Sequence, residues 1–384
     1  LKLAGIDRTT PDPRGGEIVR DPATGEPTGL LKDSAYDLVE KVIPPVSSEK
    51  RRQAVEHALA HAASLGVTSI ADNTSAEDLA IYQELLRAGK LTLRIACWTP
   101  SEHGKALREL GIGAGFGNDW LRLGSVKLFA DGSLGARSAL FFDPYLDDPG
   151  NRGIPIQSRQ ELIEQIGAID RAGQQAVVHA IGDQANCWAL DAFAAAREAN
   201  GHRDSRHRIE HAQVVRGEDL PRFPALGVIA SIQPSHCVDD MRWADQRIGT
   251  RTANAYRCRS LLDSGIEVAF GTDWPVEPLD PRLGIYAAVT REFPSGGPAG
   301  GWHPAEKVSL AQAITAYTAG SARADFSESS LGTLAPGKLA DLVVLDRDLF
   351  HLPPREILAA QVDLTVTGGR VVYERTATGR AVRR

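Results

Sequence analysis

Several runs of Val, Ile and Leu stop on residues able to do chemistry. Lys127 and Asp131 close "VKLFADGS", His179 closes "VVHAIGD", His211 closes "RIEHAQ" and Asp273 closes "FGTDWP". Neutral imidazole nitrogens and a carboxylate suit a borderline divalent cation such as Zn²⁺. The flanks of Lys127, "GSV" and "LF", read as buried, where a free ammonium is costly. Carboxylation of that amine would remove the cost and add an anionic oxygen bridge between two ions. The chemistry open to such a set is that of a bound divalent cation.

Each residue alone has a structural reading. A histidine at a strand end is more often a satisfied core residue than a ligand. Asp183 reads as the N-cap of the helix that begins at "GDQANCWALDAF", and Asp131, before Gly132, as a turn former or near neighbour of the site. His57 and His61 in "HALAH" have helical i, i+4 spacing but lack the glutamate of H-E-x-x-H, so they read as structural. What carries weight is the coincidence of Lys, His, His and Asp at the ends of different strands.

The elements that would position them are seven β runs, at 66–73, 91–98, 121–131, 175–183, 207–213, 227–235 and 266–273, separated by helix-period segments. Strands alternating with helices imply a parallel sheet covered by helices, and in a (β/α)8 TIM-like barrel the strand C-termini gather the chemistry at one mouth. Seven is one short, so the first strand is expected upstream of Leu1. The chain opens without Met and its only Met is Met241, which fits a start inside a longer reading frame. No G-x-G-x-x-G follows any run, against a nucleotide-binding open sheet. Three segments are expected: a hairpin insertion over 1–47, the barrel over 48–329, and a small β-sandwich domain over 330–384. The long connection after Lys127, "DGSLGARSALFFDPYLDDPGNRG", is expected to form a lid.

Composition narrows the partners. With 49 acidic and 43 basic residues among 384 and no basic block, nothing marks a nucleic-acid or anionic-membrane surface. No run approaches the roughly 18 uninterrupted apolar residues of a membrane helix. Cys97, Cys187, Cys237 and Cys258 form no C-x-x-C pair, which fits a reducing cytoplasm. A small-molecule substrate is expected, and a homodimer is left open.

"VKLFADGSLGARSA", "VVHAIGD", "RIEHAQ", "SIQPSHCVDDMRWADQRIG", "GTDWPVEPLDPRLGIYAAVTRE" and "LGTLAPGKLADLVVLD" together resemble the amidohydrolase superfamily, in its YtcJ-like or amidohydrolase-3 branch, which includes N-substituted formamide deformylases. The resemblance covers nearly the whole chain. It implies that His179, His211 and Asp273 bind one or two divalent ions, with Zn²⁺ preferred, and that Lys127 stands at the strand position carboxylated in binuclear members. The family's first-strand H-x-H pair is not in these residues. The reaction implied is hydrolysis of a C–N bond in an amide, N-acyl or N-formyl amine, with Asp273 as acid/base. His236 is a candidate to donate to the substrate carbonyl, Glu210 to orient its neighbours, and Trp243 and Trp274 to wall the substrate. Two other readings stand beside it: a Schiff-base lyase using Lys127, and a non-catalytic barrel lacking the H-x-H ligands.

Overall fold

A computed structural model describes residues 1–375; residues 376–384, the end of the expected 330–384 segment, lie outside the described residues. The chain opens with a hairpin, β1 (Gly16–Arg20) paired antiparallel with β2 (Pro27–Asp33). The main sheet then forms from β3 (Ser69–Asn73), β4 (Arg94–Pro100), β5 (Phe116–Gly117), β6 (Leu121–Phe129), β7 (Gln175–Ala180), β8 (Arg208–His211), β9 (Ile229–Ile232) and β10 (Val268–Phe270). Seven of these run parallel in the order β10-β9-β8-β7-β6-β4-β3, and the two-residue β5 adds antiparallel to β6. All seven expected runs are therefore strands of one parallel sheet, curved into a half-barrel. A three-stranded antiparallel sheet of β11 (Leu342–Leu345), β12 (Val362–Thr367) and β13 (Arg370–Glu374) follows. No helix among the described residues is long and apolar enough to cross a membrane.

Side-chain alternation sorts each strand into two faces. Val126, Leu128, Ala176, Val178, Ile209 and Ala230 face outward. They pack against Leu162, Ile166 and Ile169 of the helix Arg159–Arg171 and Phe193 of the helix Asp183–Asn200 in the largest apolar cluster. The first of these helices starts sharply because Ser158 and Glu161 form a reciprocal capping box, satisfying two otherwise orphaned N–H groups. The inward face is polar and aromatic: Ser125, Lys127 and Phe129 on β6, Gln175 and His179 on β7, Arg208 and Glu210 on β8. Register confirms the sharing of a face, since Phe129 pairs with His179 and His179 with Glu210.

The connection after β6 is packed into the fold. Leu134, Ala139, Phe141 and Tyr145 are buried with Val214, Cys237 and Tyr256, and the Tyr145 hydroxyl donates to Ala139 O at 2.8 Å. Its apolar residues make it a fixed wall of the mouth, a feature the length of the segment alone did not reveal.

Candidate active site

Alternation alone would turn His211 away from the mouth, because its register partner is Ala180, on the outward face. The strand escapes this by ending there: His211 is left-handed at φ 74° and Ala212 follows at φ 41°. Such conformations are unfavourable for residues with a Cβ and concentrate where the surrounding structure enforces them. Asp273, just past β10, is also left-handed at φ 58°. Two backbones are thus bent at the sheet's C-terminal edge, and the side chains they carry meet.

One donor atom each from His211, His236 and Asp273 lies within 4.8 Å of the others. His236 Nε2 is 3.8 Å from Asp273 Oδ2. The His211 and His236 rings are near parallel, with centroids 5.7 Å apart. His236 comes from the short helix Pro234–Asp240, which Pro234 starts directly after β9. His211 Nδ1 and His236 Nε2 are buried without hydrogen-bond partners among the described residues. Buried polar atoms are rarely left unpaired, so an unpaired His236 Nε2 near the Asp273 carboxylate, with a second unpaired nitrogen on the neighbouring His211 ring, fits an electrophilic guest such as a cation.

His179 stands edge-on to His211, centroids 4.4 Å apart, and meets the Gly132 carbonyl through Nε2 at 3.0 Å. A carbonyl only accepts, so Nε2 carries the proton and a neutral His179 keeps its lone pair on Nδ1. Burial drives all three imidazoles toward the neutral form: His179 to about 3, His236 to about 4, and His211 well below its ordinary value. They are lone-pair donors at neutral pH, as ligation requires. Asp273 moves the other way, up to about 6, because burial outweighs the pull of Lys127.

Lys127 is only 5% exposed and makes no ion pair among the described residues. Its Nζ lies 4.8 Å from the Phe129 ring centroid and 5.5 Å from that of Trp98. Burial lowers its pKa to about 8, with Glu210 and Asp273 pulling it back upward. The expectation of a buried amine is met, and at neutral pH it has appreciable uncharged, nucleophilic character.

Glu210 does not reach the donor cluster. It is buried and accepts from Arg208 Nε at 2.6 Å and Ser231 Oγ at 2.8 Å, while Arg208 also donates to Asp325 at 2.9 Å. Asp131 is fully buried and accepts from the backbone of Leu140, Ile181 and Gly182, tying the wall segment to the end of β7. Burial raises it to about 7 against those three donors. Trp243 packs beside Gly135 and under the Arg247 guanidinium, as part of the wall. Trp274 is 47% exposed on the loop after Asp273, with its ring centroid 6.2 Å from that of His61.

Three residues at the site were passed over in the sequence. Phe129 lies two positions beyond Lys127 on the same strand face, which alternation shows directly, and its ring is 5.4 Å from that of His179. Trp98 ends "LTLRIACW" and lies under both Lys127 and Arg208. Arg208, two before Glu210, was legible only as a strand residue.

The chain is similar to known proteins along nearly its whole length. The sequence profile described as "Amidohydrolase family" matches residues 1–373. The chain is 38% identical to Protein LONG AFTER FAR-RED 3 of Arabidopsis thaliana, over 97% of this chain and 66% of that one. It is 35% identical to Putative amidohydrolase YtcJ of Bacillus subtilis (strain 168), over 98% of this chain and 71% of that one. With N-substituted formamide deformylase of Arthrobacter pascens the identity is 28%, with the same coverages. Among solved structures, an uncharacterized metal-dependent hydrolase from Pyrococcus horikoshii OT3 superposes with a TM-score of 0.77 at 32% identity, over 92% of this chain and 69% of that one. The chain thus spans about two thirds of the length of these four proteins.

Proposed function

We propose that this chain, which belongs to the amidohydrolase family, is the main part of a metal-dependent hydrolase that cleaves a C–N bond in an amide, N-acyl or N-formyl amine. The observation that carries the reading is the meeting of His211, His236 and Asp273 at the sheet's C-terminal edge, with two imidazole nitrogens buried and unpaired. These residues, with His179 Nδ1 beside them, would hold a divalent ion, for which Zn²⁺ is the best match to the nitrogen and carboxylate donors. A bound divalent cation supplies Lewis-acid polarisation of a carbonyl and acidifies water.

The chain's own residues do the rest. Asp273, with a carboxyl group held near neutrality by burial, takes the proton from the attacking water and returns it to the departing amine. The fixed wall of residues 131–158 and the aromatic face of Phe129 limit the space in which substrate and water meet. Glu210, Arg208 and Asp325 brace the inward face beneath the mouth without touching the reacting atoms.

The finer reading of Lys127 is that its amine takes up CO₂, forming an N–C bond and releasing a proton to give a carbamate. The buried amine lies over the Trp98 and Phe129 rings without an ion pair among the described residues, a setting in which the neutral, reactive amine is favoured. We expect ¹³C-bicarbonate to label Lys127 in the folded chain, seen by carbon NMR and lost in Lys127→Arg. Absence of the signal, with borohydride trapping of a carbonyl compound on Lys127, would support the Schiff-base reading instead.

The activity test is amine release from a panel of N-formyl, N-acetyl and longer N-acyl amines by protein incubated with Zn²⁺, Mn²⁺ or Fe²⁺. Turnover of at least one class is expected. Metal-loaded protein that turns over none of them while binding the metal tightly would overturn the assignment to C–N hydrolysis.

A further inference from the structure

The hairpin of β1 and β2 ends on Asp33, and its backbone there is left-handed at φ 47°. The Asp33 carboxylate is pressed against Gly132. A methyl group built on Gly132 would lie 2.4 and 2.7 Å from the two Asp33 oxygens and 2.2 Å from Ser138 Oγ, so only glycine fits. Asp33 Oδ2 is buried with no hydrogen-bond partner among the described residues. An exposed turn requires neither the bent backbone nor the desolvated carboxylate, both of which are unfavourable. Gly132 is the residue whose carbonyl holds His179 Nε2 at 3.0 Å.

The hairpin is also fastened to the same wall elsewhere. A methyl group built on Gly15 would lie 3.3 Å from Ile156 Cα, and Ile156 N donates to Ala130 O at 3.1 Å. Arg14 pairs with Glu161, the capping-box residue of the helix Arg159–Arg171. The segment read in the sequence as a surface insertion therefore bears directly on the backbone around the barrel mouth.

We propose that Asp33 is a positioning residue of the site: by packing on Gly132 it fixes the carbonyl that sets the orientation and tautomer of His179. The catalytic value of that tautomer rests on the hydrolase reading, whereas the packing relation does not. A backbone acceptor can only select the Nε2–H form if it is itself held still, and of the two side chains that close on Gly132, Ser138 belongs to the wall and Asp33 to the hairpin.

The test uses the full chain, free of metal, labelled with ¹⁵N-histidine. His179 is assigned by the loss of its signals in His179→Gln. Wild type is expected to show His179 as the single Nε2–H tautomer. Asp33→Ala, which opens the space beside Gly132, is expected to give a mixture of tautomers, and Asp33→Asn, which fills it, to restore the single form. In parallel, Zn²⁺ titrated against a chromophoric chelator should bind at least tenfold more weakly to Asp33→Ala and within about threefold of wild type to Asp33→Asn. A single unchanged tautomer and unchanged Zn²⁺ affinity in Asp33→Ala would overturn the proposal, whatever happens to its melting temperature. Should Asp33→Ala fail to fold, Asp33→Ser leaves most of the same gap and is read in the same way. If wild type binds no Zn²⁺, the hydrolase reading fails while the tautomer measurement still decides the role of Asp33.

Discussion

Asp273→Asn is expected to lower kcat by about 10²–10⁴-fold on any substrate the protein hydrolyses, the range for losing a positioned acid/base group. The amide is nearly isosteric, so the left-handed turn at φ 58° and the contact with His236 can persist while the proton acceptor is lost. The pH dependence follows from the same group. As a base, Asp273 works only when deprotonated, so activity is present above its pKa and is lost as pH falls through it. Burial sets that pKa at about 6 in the metal-free site. A neighbouring cation favours the carboxylate and lowers the value, so the acid limb of kcat/KM should lie at or below about pH 6. A variant that keeps more than a tenth of wild-type kcat, with its metal content intact, would remove Asp273 from the chemistry.

The second large effect is on stability. Arg208 is 5% exposed, donates to Glu210, Asp325 and Ser231, and stacks on Trp98 at 4.9 Å. Arg208→Met keeps much of the packing volume but strands two carboxylates inside the half-barrel. Breaking a buried ion pair from one side costs about 3–5 kcal/mol, most of it the penalty of leaving charge uncompensated. Urea unfolding of Arg208→Met should show a loss of that order. The triple variant Arg208→Met/Glu210→Gln/Asp325→Asn should recover a good part of it, because no charge is then left unpaired. A loss below about 1 kcal/mol in the single variant would mean that water, rather than Arg208, satisfies these carboxylates.

How far the site could be read from sequence depends on how local each cause is. The seven strands and His179 were legible because apolar runs and alternation are local signals. His211 was legible as a strand end, but alternation alone would have faced it outward, and its left-handed backbone depends on the surrounding loops. His236 was visible as a polar residue after β9; its place beside His211 and Asp273 depends on the angle at which the helix Pro234–Asp240 leaves the sheet. Phe129 could have been found from Lys127 by counting two along the strand. Arg208 with Asp325, 117 residues apart, and Asp33 with Gly132 are tertiary contacts that no sequence spacing encodes. The packing of the segment after Lys127 was missed for a related reason, since length was weighed above the Leu, Phe and Tyr residues that bury it.

The claim beneath all of these is that the mouth of the half-barrel is a metal site. The most direct measurement is the zinc, iron and manganese content per chain after incubation with each ion and removal of excess, for wild type beside His211→Ala/Asp273→Ala. The account predicts close to one or two equivalents in wild type and near zero in the double variant, which loses two of the three clustered donors. Wild type that retains no metal, or a double variant that retains as much as wild type, would contradict it.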